Sequence, residues 1–503
     1  MSWWDWIKNA KTTLIQIMKR ILLLLFIATL YSCKNTNSNP NIIIFIADDV
    51  SWDDFGCYGN TNVKTPNIDA LAKNGIIFKN AYLTTSSCSP SRNSILTGRY
   101  PHNTGAAELH TEPPLEMISF AEILKKNGYF TLQAGKFHMG EYAKRGFSEV
   151  HDKKKINGDG GEKYWTTAIK ERPKNKPFFM WFAAYDAHRV WGENKFSGKH
   201  DPKSIKVPEY LIDSELTRND LSNYYDEIYR FDFYIGEVIK KLKKQNVFEN
   251  TMIIIMADNG RPFPHSKTRL NNQGVKTPFV VHFPKLNPTS RISKSLISSI
   301  DIAPTLIDLV EIEKPKSFQG VSFLNILKKP HESFRNYIFS EHNWHDYESY
   351  QRMVRNKRYL YIRNSRPKFP QEGPLDAINS PTYIDLKNAQ KNGTISEIQS
   401  EIFINPRPKE ELYDLFKDPY QFNNLLLDEN NFNKNHIELS KVLNKWITET
   451  ADNIPESITK DWYLREQEPY NESSLLKTEF HGIRGEMPGK LKNAIKINNK
   501  GPF

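Results

Sequence analysis

Apolar residues along this chain gather in short unbroken runs, and the runs end abruptly in charge. Ile42–Ala47 (IIIFIA), Thr251–Ala257 (TMIIIMA) and Phe178–Ala184 (FFMWFAA) have no polar position apart from the opening Thr251, and β-branched or aromatic residues dominate them. Runs of this length and composition predict strands buried on both faces, as in a parallel sheet. Tyr129–Ala134 is a weaker fourth. Helical patterns fall between them, over Thr65–Asn74, Ser119–Asn127 and Asn219–Gln245. The alternation predicts an α/β fold, a large mostly parallel sheet sandwiched by helices. Ligands bind such sheets beyond the carboxyl ends of the strands.

All four runs put reactive residues at that edge. Asp48-Asp49 follows the first, Asp258-Asn259-Gly260 the Thr251 run, Tyr185-Asp186-Ala187-His188-Arg189 the Phe178 run, and Gly135-Lys136-Phe137-His138 the weak one. One acidic residue after a strand is often only a helix cap. Two strands ending in acid-acid and acid-amide pairs ask for more. Asp48, Asp49, Asp258 and Asn259 offer only hard oxygen donors, which suit Ca²⁺ or Mg²⁺ rather than Zn²⁺. Buried without a cation, the three carboxylates would repel one another.

Ser86–Gly98 reads SSCSPSRNSILTG. Pro90 suits the first turn of a helix, so Cys88 falls where backbone N–H groups favour an anion. A thiolate there and an inert buried cysteine are both compatible with that placement. The full string C-x-P-S-R-x-x-x-L-T-G, with Arg92 and Leu96-Thr97-Gly98, resembles the signature of the formylglycine-dependent type I sulfatases of the alkaline-phosphatase-like superfamily. Other segments resemble the same family in order: Thr65-Pro66-Asn67-Ile68-Asp69, Gly98-Arg99-Tyr100-Pro101-His102, Gly135–Gly140, Asp258-Asn259-Gly260, Asp301-Ile302-Ala303-Pro304-Thr305 and Glu411–Leu415 with Asp418-Pro419. The likeness runs from about residue 41 to 450. Pro262–Thr268 is similar to the sulfamidase branch, although Lys267 stands where Arg is more expected.

The resemblance implies a catalytic domain over 34–347. It also implies a smaller C-terminal α+β subdomain over 348–503, with a small antiparallel sheet and a basic tail. It implies that Cys88 is oxidised to formylglycine (3-oxoalanine) by a sulfatase-maturating enzyme, and that one Ca²⁺ is held by Asp48, Asp49, Asp258, Asn259 and position 88. A hydrated aldehyde offers a geminal diol: one hydroxyl attacks sulfur, and the other expels sulfate. Arg92 anchors the diol and Lys136 and Lys267 hold sulfate oxygens. His138 assists the diol, and His188 protonates the leaving oxygen. Arg189, His102, His265, His342, His345 and Arg352 are candidates for the sugar-binding wall. The Glu341–His345 segment is expected to follow a strand at Asn336–Ser340. Cys57 is expected to be a buried free thiol.

The N-terminus reads as an address. Lys19-Arg20 precedes the ten-residue run Ile21–Leu30, too short to span a bilayer, and Leu30-Tyr31-Ser32-Cys33 resembles a lipoprotein box. Residues 1–33 are therefore expected to be a signal peptide, with Cys33 lipidated and the protein facing the periplasm or soluble there. Met18 is an alternative start to Met1. Removing residues 1–33 takes away four cations and Asp5, lowering the net charge from +11 to +8. That charge is compatible with an anionic substrate, and no nucleic-acid motif appears. The 39% hydrophobic and 12% aromatic content excludes global disorder, and three cysteines exclude a disulfide scaffold.

The expected activity is hydrolysis of sulfate esters on a sulfated oligosaccharide, as in bacterial lipoprotein sulfatases that digest algal polysaccharides such as ulvan. A sulfamidase acting on N-sulfoglucosamine is the alternative within the family. A phosphatase or phosphonate hydrolase of the same superfamily is a further alternative, disfavoured by Cys88 and by a single set of metal ligands.

Overall fold

The computed structural model describes residues 3–4, 6–7, 11–20, 39–286, 288, 291–371, 373–427, 434–457, 459 and 485–503. The chain divides into two units, Met1–Asn39 and Pro40–Phe503. In the first, residues 11–20 are helical, and the lipobox ending at Cys33 lies outside the described residues.

The second unit is built on an eight-stranded sheet of order β4-β3-β5-β1-β6-β7-β2-β8. Its strands are β1 (Asn41–Ala47), β2 (Ile76–Tyr82), β3 (Phe130–Gly135), β4 (Glu149–His151), β5 (Phe178–Ala183), β6 (Thr251–Ala257), β7 (Phe279–His282) and β8 (Ile292–Ser298). Only β7 runs antiparallel to its neighbours, β6 and β2. The apolar runs form the middle of the sheet because both of their faces are covered. Ile43, Phe45, Met180 and Phe182 pack on one side, Ile42, Ile44, Phe179 and Trp181 on the other. Period-two alternation thus feeds two cores from the same strands. A long helix, Glu215–Lys244, covers the first face through Leu221, Ile228, Phe231 and Ile235. Helices Phe120–Lys126 and Ile302–Leu309 cover the second.

Register aligns the strand ends. Ala47 pairs with Ala257, Ile46 with Ala183, and Gly135 with Ala183. The segments that follow β1, β3, β5 and β6 therefore leave the sheet along one line. Gly135 is required at its place: its φ is +97°, and a Cβ there would come within 1.9 Å of the Ala183 carbonyl oxygen.

A second sheet, β12-β11-β10-β9, is antiparallel: β9 (Ile338–Trp344), β10 (Glu348–Arg355), β11 (Tyr359–Asn364) and β12 (Glu410–Asp414). The domain boundary expected at residue 347 falls in the turn between β9 and β10. The strand expected at Asn336–Ser340 instead runs through Trp344, so Glu341, His342 and Asn343 lie within it. Helix Lys434–Glu449 covers one face of this sheet with Leu439, Leu443 and Trp446. The C-terminal residues are stitched to the body. Arg99 donates to the carbonyls of Ile495 and Ile497 at 2.9 Å, and Asn103 donates to that of Ala494 at 2.6 Å.

Candidate active site

The four polar segments converge at the carboxyl edge of the large sheet. The Asp48 N–H donates to the Asp186 carbonyl at 2.7 Å, and the Asp49 N–H to Asp258 Oδ1 at 3.2 Å. Cys88 opens the helix Cys88–Thr97, which follows β2 after a short loop; every residue of that helix is buried. Its Sγ lies 3.7 Å from Asp48 Oδ1 and 3.9 Å from Asp49 Oδ1.

Each carboxylate is matched by a cation. Arg92, one turn beyond Cys88, sets Nε and Nη2 each 2.8 Å from Asp258 Oδ2. Lys136 Nζ is 2.5 Å from Asp48 Oδ2. Lys267 Nζ is 2.7 Å from Asp49 Oδ2 and 2.9 Å from Asp376 Oδ2. Lys267 is buried. Burial pushes the Cys88 thiol well above its ordinary range, and Lys136 and Lys267 only partly oppose this. An unmodified Cys88 is therefore a neutral thiol at pH 7, not a thiolate nucleophile.

The donor set fits a hard divalent cation. Asn259 Nδ2 donates to Asp49 Oδ1 at 2.6 Å, while Asn259 Oδ1 is buried without a hydrogen-bond partner. Leaving such an acceptor unmade costs about 1–3 kcal/mol. Asp48, Cys88 and Asp258 each offer a ligand atom within 4.8 Å of the others. Asp48, Asp49, Asp258 and the Asn259 carbonyl would supply all-oxygen ligation of the kind Ca²⁺ prefers.

Above Cys88 opens a cleft of about 600 Å³ whose lining includes Lys136, His138, His188, Lys267 and His345. His138 Nε2 lies 2.7 Å from His110 Nδ1. Burial, with Lys136 beside it, pulls its pKa well down, so it is neutral at pH 7. His188 Nδ1 faces the Arg189 carbonyl, which can only accept, so Nδ1 carries a proton. Nε2 is then the exchanging atom. It faces the cleft, 3.7 Å from Asp376 Oδ2 and 3.9 Å from Asp49 Oδ2.

The expected sugar wall divides. His345 lines the cleft, its Nδ1 2.9 Å from Ser87 Oγ. Arg189 lines an adjoining cavity of about 460 Å³ that shares Lys136, Tyr185 and His188 with the cleft; a two-pronged pair with Asp220 at 2.6 and 2.8 Å holds it. His342 faces a small side cavity with Gln371, and burial and Arg407 lower its pKa to about 3. Three expectations are corrected. His102 is clamped by Glu341 at 2.5 Å and packed on Trp446. Arg352 forks onto Asp452 at 2.6 and 3.0 Å. His265 bonds Glu401 at 2.9 Å and the Tyr420 carbonyl at 3.1 Å. These three are internal ties and do not line the cleft. Cys57 is only partly buried; burial and Asp69 push its thiol up to about 12.

Asp376, His110, Tyr185 and Asp346 also line the cleft and were not anticipated as site residues. Tyr185 directly follows the Phe178–Ala184 run, at the same polar edge as His188. Asp376 belongs to the short helix Leu375–Ile378, 109 residues beyond Lys267, with no motif to mark it.

The sulfatase family model matches residues 40–312, and the chain belongs to that family. It is a sulfuric ester hydrolase, a sulfatase acting on sulfated carbohydrates. Members typically use formylglycine and Ca²⁺. A second model, N-sulphoglucosamine sulphohydrolase C-terminal, matches residues 265–402. The chain is 30% identical to an ulvan-active sulfatase of Formosa agariphila, over 84% of this chain and 78% of that protein. It is 28% identical to human N-sulphoglucosamine sulphohydrolase, over 82% and 90% respectively. A solved structure described as a complex with its substrate D-glucosamine-2-N,6-O-disulfate has the same fold, with TM-score 0.62, 20% identity, and coverage of 82% of this chain and 98% of that one.

Proposed function

We propose that this protein hydrolyses O-sulfate esters on a sulfated polysaccharide of algal type, such as ulvan, with position 88 carried as formylglycine and one Ca²⁺ on Asp48, Asp49, Asp258 and Asn259. The observation that carries the reading is the setting of Cys88. It is buried as a thiol, yet it sits at the floor of a cleft beside Lys136 and Lys267, next to an unpartnered carbonyl oxygen among acids. A Ca²⁺ held by these residues would supply Lewis-acid charge for the reaction. Lys136 and Lys267 orient and neutralise the sulfate as it gains charge. Arg92 fixes the helix start that carries position 88 against Asp258. Neutral His138 can accept a proton on the nucleophile side. His188 Nε2 delivers one to the departing sugar oxygen.

A sulfamidase is the second reading, supported by the C-terminal family match over 265–402. Lys267 favours the first reading's breadth: it is a point charge that serves any terminal sulfate and does not offer the planar fork of Arg. Turnover of sulfated ulvan fragments and of N-sulfoglucosamine, side by side on protein matured in a host with formylglycine-generating activity, decides between them. Release of sulfate from ulvan with little from N-sulfoglucosamine supports the proposal, and the reverse order overturns it. We propose further that the protein is exported and anchored by lipid at Cys33, after maturation by a sulfatase-maturating enzyme.

A further inference from the structure

The edge of the large sheet carries a second, separate groove that the chemistry at Cys88 leaves unused. It measures about 780 Å³, and its lining includes Lys79, Lys276, Lys294, Lys357, Ile292 and Phe416. Four lysines thus face one space. Glu332 is the acid among the lining residues, and it is engaged by Lys329 at 3.0 Å. Among the described residues, none of the four lysines pairs with a carboxylate. Aromatic rings support two of them instead: Lys276 Nζ lies 3.7 Å over Trp52, and Lys79 Nζ 4.6 Å over Tyr58. Burial, Arg355 and Lys79 outweigh the nearby Asp53 and draw Lys276 down to about 7. An anion entering the groove would relieve that crowding. Phe416 is 72% exposed and Ile292 43%, so apolar surface is offered beside the charge.

Lysines on a sheet edge can serve merely to block edge-to-edge pairing. That explains Lys294 on β8. It does not explain Lys79 on β2, Lys276 after the short helix Asn272–Val275, or Lys357 between β10 and β11 of the other sheet. Several elements converge on one space. Lysines without a carboxylate partner, Lys357 holding only Ser333 Oγ at 3.0 Å, beside the exposed ring of Phe416 match the two halves of a sulfated sugar, its anionic ester and its apolar ring face. Lys79 lies nine residues before Cys88, so groove and cleft are no more than about 30 Å apart along a fully extended chain.

We propose that this groove is a second binding site, for a sulfated stretch of the polysaccharide substrate, which holds the polymer while its esters are cleaved at Cys88. The inference rests on the sulfatase reading above, and its test separates the two. Lys294 and Lys357 are exposed, so the double variant Lys294→Glu/Lys357→Glu leaves the packing intact; Lys294→Gln/Lys357→Gln and Phe416→Ala serve as milder companions. Calorimetric binding of full-length matured protein to ulvan is compared with binding to chemically desulfated ulvan and to phosphatidylglycerol vesicles. kcat/KM on a nitrophenyl sulfate is measured in parallel.

The charge-reversed variant should bind ulvan about tenfold more weakly, the low end of electrostatic steering effects. The loss should shrink as salt rises. Phe416→Ala should also weaken binding, and nitrophenyl sulfate turnover should stay unchanged. Unchanged ulvan affinity overturns the site, as does equal affinity for the desulfated polymer. A loss confined to vesicles reassigns the groove to a membrane surface and also overturns it. Because binding is read directly, groove-dependent ulvan binding by a protein without sulfatase turnover counts against the reaction and for the groove.

Discussion

Asp376→Asn tests how the cleft holds its sulfate-facing cation. Asp376 Oδ2 lies 2.9 Å from Lys267 Nζ and 3.7 Å from His188 Nε2. Burial alone would raise its pKa, but Lys267 and then His188 outweigh burial and hold the carboxyl at about 2, against an ordinary 3.8. At 1.36 kcal/mol per unit, that difference corresponds to about 2 kcal/mol favouring the folded state. The folded pKa is the depressed one. The contribution is therefore fully present above pH 3.8, including at pH 7, and is lost as pH falls through 2. Asparagine keeps the shape and removes the charge, while Lys267 retains Asp49 at 2.7 Å. The variant should lose about 2 kcal/mol of stability at pH 7, with the gap from wild type narrowing below pH 4. Lys267 loses one of its two tethers, so kcat/KM on a sugar sulfate should fall by about tenfold to a hundredfold, short of deleting a charge-stabilising donor outright. Urea unfolding followed by tryptophan fluorescence at pH 7 and pH 3.5, together with steady-state sulfate release, reads both quantities. An unchanged unfolding midpoint and unchanged kcat/KM at pH 7 would refute the role given to Asp376.

Chelation should abolish turnover and Ca²⁺ should restore it; full activity in metal-free protein would remove the cation from Asp48, Asp49, Asp258 and Asn259. His188→Ala should cost more on an unactivated sugar sulfate than on an aryl sulfate, whose leaving group needs less protonation. Equal losses on the two substrates would take His188 out of the acid role. Cys33→Ala should release the protein from membranes and abolish labelling by a fatty-acid probe, whereas unchanged retention contradicts the lipid anchor.

The central strands and their polar ends were legible because each is a local pattern. An unbroken apolar run can only be buried, and charge at its end can only leave the sheet. Parallel register then did the rest, bringing Asp48 and Asp258 together across 210 residues of sequence without any local signal for that pairing. Fates set by a distant partner were not legible. His102 and Arg352 looked like cleft residues by type, yet Glu341 and Asp452 capture them 239 and 100 residues away. Asp376 was invisible for the same reason, since only the folded chain places it beside Lys267. The basic C-terminus read as a tail because charge is all its composition displays. Its anchorage uses the backbone carbonyls of Ile495 and Ile497 and the Asn498 side chain, all offered to the distant Arg99, a pairing that no local pattern encodes.

The reaction depends most directly on the chemistry at position 88. Mass spectrometry of the tryptic peptide ending at Arg92, taken from active protein made with a sulfatase-maturating enzyme, should find that peptide about 18 Da lighter than its thiol form, as conversion of the side chain to an aldehyde requires. An intact Cys88 thiol in fully active protein would contradict it.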